Sequence, residues 1–87
     1  MNGEDSTMAR EAIFEAIENQ LRDNDPPITK VTFERLKAEG YSQQETMKLI
    51  GCAFSSEISD MMNSRESYDE KRYSKYLKTL PVLPWEI

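Results

Sequence analysis

Glu34-Arg35-Leu36-Lys37-Ala38-Glu39-Gly40-Tyr41-Ser42-Gln43-Gln44-Glu45-Thr46-Met47-Lys48-Leu49-Ile50 sets a helix stop directly against a helix start. Gly40 reads as the residue just past the incoming helix, where the left-handed conformation strains any side chain with a Cβ. Tyr41 follows at the place where a Schellman motif takes an apolar contact back onto the last turn. Ser42 and Glu45 form an S-x-x-E capping box, in which each side chain satisfies a backbone N–H of the other residue. So short a corner between two helical patterns makes an αα-hairpin and points to a small all-α domain.

Working outward, the spacing predicts helix one over Thr7–Arg22, capped by Ser6 or Thr7. Its inner face holds Ala9, Ile13, Ala16, Ile17, Gln20 and Leu21, with Gln20 the polar member. Asp23-Asn24-Asp25-Pro26-Pro27 breaks that helix, because proline lacks the N–H and turns its predecessor away from helix. Helix two starts between Ile28 and Thr32, with Thr29 and Thr32 as candidate caps, and buries Phe33 and Leu36. Helix three spans Ser42–Met62 with the stripe Met47, Ile50, Phe54, Ile58 and Met61, flanked by Gly51 and Glu57. After a polar connector, helix four spans Tyr68–Thr79 and turns Tyr73, Tyr76, Leu77 and Leu80 inward, capped through Ser67 and Glu70 or through Asp69. Pro81 ends it. The expectation is one domain over residues 1–87: four helices, an unstructured stretch at 1–6 and an extended C-terminal tail at 81–87 that packs on the bundle.

Composition bounds the chemistry. Eighty-seven residues with 16 acids and 11 bases carry a net charge of −5. A chain of this size buries roughly 60–65% of the surface its unfolded form exposes, leaving little room for a deep catalytic pocket. Net acidity repels phosphate backbones, so no nucleic-acid partner and no anionic membrane is expected. The acidity is concentrated in residues 1–25, which hold seven acids and two bases. One cysteine excludes an internal disulfide framework and a multi-thiolate metal site. No apolar run reaches the roughly 20 residues of a membrane span, and the first residues lack a signal-peptide core. These features imply a cytoplasmic and, from its general style, bacterial protein.

With no histidine, the Ser-His-Asp and Cys-His arrangements and the commonest transition-metal ligand are gone. Cys52 has Lys48 one turn away, which would lower its pKa slightly, but no general base beside it. Asp23-Asn24-Asp25 opens like a calcium loop, yet Pro27 and Ile28 stand where an oxygen ligand and a glycine are required. Helix–Gly–helix also fits a DNA-binding helix-turn-helix in outline, but Glu45, Glu57 and Asp60 against Lys48 give the second helix the wrong sign. Glu57 beside an apolar stripe needs a cation, and Arg35 and Arg72 are the candidates. No cofactor and no metal site is expected.

Gly40-Tyr41 between short helices is similar to the Gly-Phe-type loop of ubiquitin-associated domains; the match ends there and carries no residue role. From Phe33 to Pro84, the pieces Arg35-Leu36, Glu39-Gly40-Tyr41-Ser42, Ile50, Glu57-Ile58, Asp69-Glu70, Arg72-Tyr73, Leu77 and Leu80-Pro81 resemble a pattern of small uncharacterised bacterial helical proteins. That resemblance implies a helical domain and brings no catalytic residues. The functional expectation is a non-enzymatic interaction module, binding a protein partner or a second copy of itself. Phe14, Leu49, Met62 and Trp85, apolar but off the main stripes, are its candidate contacts, since interface cores favour aromatic and Met side chains. The alternative is a small enzyme using carboxylate and tyrosine chemistry, which requires Glu57, Tyr73 and Tyr76 to converge in one cleft.

Overall fold

In a computed structural model, which describes the backbone of residues 3–86 and the side chains of residues 10–86, the chain is an all-α bundle. Helix α1 spans Gly3–Asp23, α2 Pro27–Ala38, α3 Gln43–Ser64 and α4 Glu70–Thr79, followed by one 3-10 turn at Pro84–Glu86. Helix α3 is the central element, touching α1, α2, α4 and the C-terminal turn.

The corner at residues 39–45 is built as its sequence reads. The Gly40 N–H donates to the Lys37 carbonyl at 3.1 Å and the Tyr41 N–H to the Leu36 carbonyl at 3.2 Å, the two bonds of a Schellman motif. Gly40 has φ +106°, and half-buried Tyr41 packs against the core. The Glu45 N–H donates to Ser42 Oγ at 3.0 Å and the Ser42 N–H to Glu45 Oε1 at 2.9 Å, completing the capping box. The Ser42 backbone bond, with help from its hydroxyl, holds the Glu45 carboxyl below its ordinary pKa. Nothing lies within 4 Å of the place a Cβ would take on Gly40, so any substitution there is opposed by backbone strain alone. Gly40→Val is therefore expected to cost about 1–2 kcal/mol, seen as a lower melting temperature; an unchanged melt would mean the corner tolerates a side chain.

Other helix ends depart from expectation. Helix α1 begins at Gly3 rather than Thr7, so Ser6 and Thr7 lie within the helix, not at its cap. Residues 3–6 of the expected unstructured stretch are thus helical; Met1 and Asn2 lie outside the described residues. Helix α2 begins at Pro27 after Pro26, with no side-chain cap. Proline suits a first helical position, where its missing N–H has no partner anyway. Thr29 and Thr32 are therefore buried inside the helix rather than capping it. Asp69 is the cap of α4, its carboxylate accepting from the Lys71 and Arg72 N–H groups.

The core is Ile17, Leu36, Ile50, Ala53, Tyr73, Leu77 and Leu80. On α3 the most deeply buried line is Thr46, Ile50, Ala53 and Glu57. This is rotated from the expected stripe, in which Met47, Phe54, Ile58 and Met61 are only half-buried. The reason is close approach: the helix packed on several sides turns its small and polar residues to the tightest contacts and its bulky ones to the flanks. Gly51 meets α1 there, and a Cβ on it would stand 3.4 Å from Phe14 and 3.6 Å from Ile13, ordinary contact distances. Gly51→Ala should accordingly stabilise the domain by about 0.5–1 kcal/mol through helix propensity, raising the melting temperature by a few degrees. A lower melt would show that Phe14 and Ile13 leave no room for the added methyl.

Candidate functional site

Of the two candidate partners for Glu57, Arg72 is the one in place. Its Nε and Nη2 donate to the Glu57 carboxylate at 2.7 and 2.9 Å, a bidentate pair. The Asp69 N–H donates to Glu57 Oε2 at 2.8 Å. A fully buried carboxylate on α3 thereby fixes both the start of α4 and a side chain of its first turn. Glu57 raises the Arg72 pKa in return. Arg35 is turned elsewhere, to the Leu77 carbonyl at 3.1 Å and to Glu39 at 3.0 Å. Arg72 also lies 3.5 Å from Asp60, which accepts from the Tyr76 hydroxyl at 2.5 Å.

A second network ties α1 to α2 and α4. Gln20 Oε1 accepts from the Thr29 hydroxyl at 2.8 Å and the Tyr73 hydroxyl at 3.0 Å. Glu57 and Tyr73 are therefore fully buried and already engaged, in two different networks. Of Glu57, Tyr73 and Tyr76, only Tyr76 lines one of the surface clefts found among the described residues, a small one with Ser56, Ser59, Asp60, Pro84 and Trp85. The three side chains do not share a reactive pocket.

Burial pushes the Tyr73 hydroxyl up to about 12. Burial, with Glu70 and Glu57 nearby, does the same to Tyr68. The hydrogen bond to Asp60 raises Tyr76. A folded-state pKa above the unfolded value of about 10 favours the native state fully below that pH and progressively less as pH rises past it. The domain should therefore lose stability between about pH 10 and pH 12. Phenolate absorbance and helix content should then change together; tyrosines that ionise without any loss of helix would contradict this.

A second concavity lies between α1 and α3 beneath the C-terminal turn. It is an open groove of about 620 Å³ lined by Arg10, Ile13, Phe14, Lys48, Gly51, Cys52, Ser55 and Trp85. Arg10 and Phe14 are one turn apart on α1. Lys48, Gly51, Cys52 and Ser55 follow the i, i+3, i+4, i+7 pattern of one face of α3. The C-terminal tail returns to the bundle through half-buried Leu83, which packs on the core. The Leu83 N–H donates to Glu86 Oε1 at 2.8 Å, closing the turn. That turn leaves Trp85 projecting, 65% exposed, rather than folded in to finish the core; Ile87 lies outside the described residues.

The four expected contact residues separate here. Phe14 and Trp85 come together in the groove. Leu49 is half-buried against the core, and Met62 is 75% exposed on the last turns of α3, outside the groove. The periodic pattern did not single out Ile13 and Gly51 as groove-lining or join Arg10 to Lys48, although the nearness of Lys48 and Cys52 on α3 was legible. Burial pushes the Cys52 thiol above its ordinary pKa, opposite to the expected influence of Lys48. Among the described residues no group of three acidic, cysteine or histidine side chains could hold a metal ion, and no helix is long and apolar enough to cross a membrane. No protein-family model matches the chain, and comparison with curated proteins and with solved structures returned no match.

Proposed function

We propose that the domain is a non-enzymatic interaction module and that the groove beneath Trp85 is its contact surface. The observation that carries this reading is a large aromatic left projecting beside an apolar floor of Ile13 and Phe14. Tryptophan is the side chain most enriched where binding energy is concentrated, because it buries much area with few rotatable bonds. The partner in this reading is another protein or a second copy of the chain. A cytoplasmic location and the absence of a nucleic-acid partner belong to the same proposal, on the grounds of net acidity and a single cysteine.

Cys52 provides a way to test it, being the only thiol and lying in the groove. Affinity capture from the source cell, with light scattering on the purified protein, should give a partner or a dimer. Alkylation of Cys52, which fills the groove, and Trp85→Ala, which removes its wall, should each abolish that association at an unchanged melting temperature. A protein captured equally by all three forms would place the contact elsewhere. A strict monomer that captures nothing would remove the proposal.

A further inference from the structure

We propose that the occupant of this groove is an acidic amphipathic helix of a partner protein, its apolar stripe resting on Ile13, Phe14 and Trp85 and its carboxylates meeting Arg10 and Lys48. The inference rests on the groove being the contact surface and adds the chemistry of what fills it.

Three observations converge on that occupant. The first is charge. In a chain of net charge −5, the two charged side chains lining the groove are both cations. Neither forms a salt bridge among the described residues. Glu11, Glu15 and Glu18 of α1 and Glu45 of α3, one turn from Lys48, are exposed and do not line the groove. The second is length. From Lys48 to Ser55 the α3 wall runs seven residues, roughly 10 Å at 1.5 Å per residue. That is two helical turns, the span over which a partner helix sets down anchors at i, i+3 or i+4, and i+7. The third is openness. A small-molecule site buries roughly 70–90% of its ligand's surface, whereas this groove is open along one side. A helix that keeps its far face in water fits such a trough better than a free amphiphile.

Trp85 is the only tryptophan in the chain and borders the groove and the small Tyr76 cleft, so its fluorescence reports on these two places, and the Arg10 and Lys48 charge reversal below assigns a shift to the groove. The probes are two synthetic helical peptides of about 18 residues, long enough to hold a helix. Both carry leucine at i, i+3, i+4 and i+7; one has glutamate along both flanks, the other lysine. The glutamate peptide should shift Trp85 emission to the blue, with half-saturation at a roughly tenfold lower concentration than the lysine peptide. In the Arg10→Glu, Lys48→Glu double variant the order should reverse. Both positions are exposed, and an unchanged melt confirms the fold.

Equal titration by the two peptides would overturn the acidic helix while leaving the groove as a contact surface. No shift with either peptide, up to millimolar concentration, would overturn it as well. A shift with laurate in place of peptide would assign the groove to a small amphiphile. A shift that grows with protein concentration alone would assign it to a second copy. Either result overturns the proposal. Failure of the groove itself is read separately, from association that survives Cys52 alkylation.

Discussion

Arg72→Leu is expected to come close to unfolding the domain. It leaves the Glu57 carboxylate fully buried on α3, holding one backbone N–H from Asp69 and no cation to replace the bidentate guanidinium. Removing one partner of a buried pair costs about 3–5 kcal/mol, and a small domain has little more than that in total. The double variant Glu57→Gln, Arg72→Leu separates a lost attraction from a stranded charge. Its amide oxygen still accepts from Asp69 without burying a charge, so it should recover most of the loss. Denaturant unfolding of the three forms tests this. A single variant as stable as wild type, or a double variant no better than the single, would mean that Glu57 is not held as the structure has it.

Gln20→Leu should show the next largest effect, although the substitution adds an apolar side chain to an inward face. Gln20 Oε1 is the acceptor for both Thr29 and Tyr73, and those two residues are fully buried. Removing it strands two hydroxyls, at about 1–3 kcal/mol each. Tyr73→Phe and Thr29→Val remove one donor each and should individually cost much less. Combined with Gln20→Leu they should restore stability, since an unmade bond is expensive only while its other half stays buried. Additive losses in place of recovery would show that the three residues act independently.

Local interactions account for what was legible beforehand. The Schellman bonds at Gly40, the capping box of Ser42 and Glu45 and the Asp69 cap all join residues at most five apart, so spacing along the chain carries their whole geometry. The inward set Tyr73, Tyr76 and Leu77 of α4, with Leu80 at its C-cap, was legible for the same reason, three of the four being fully buried and Tyr76 half-buried against them. The buried line of α3 was not. An apolar stripe identifies which side of a helix avoids water, but the depth of each residue depends on how many neighbours surround it. With three helices and a turn around it, α3 buries Thr46 and Glu57 more deeply than Met47 and Met61.

Only part of the candidate site could be read for a related reason. Phe14 and Trp85 stood out as apolar residues off the stripes, but so did Leu49 and Met62, and helical phase could not separate a residue facing a groove from one packed on the core or one left in water. The pairing of Glu57 was narrowed by charge to Arg35 or Arg72. The choice between them came from packing: Arg35 is occupied by the Leu77 carbonyl and Glu39, while Arg72 begins the helix that Glu57 itself helps to anchor.

Fold class, helix count and the corner at Gly40-Tyr41-Ser42 were thus already written in the chain, because caps, breakers and periodicity act within a turn or two. The ion pair at Glu57, the shared acceptor at Gln20 and the groove that brings Arg10 and Phe14 to Lys48 and Trp85 belong to the assembled bundle. Each joins side chains many residues apart, whose meeting depends on how the helices cross and how closely they pack.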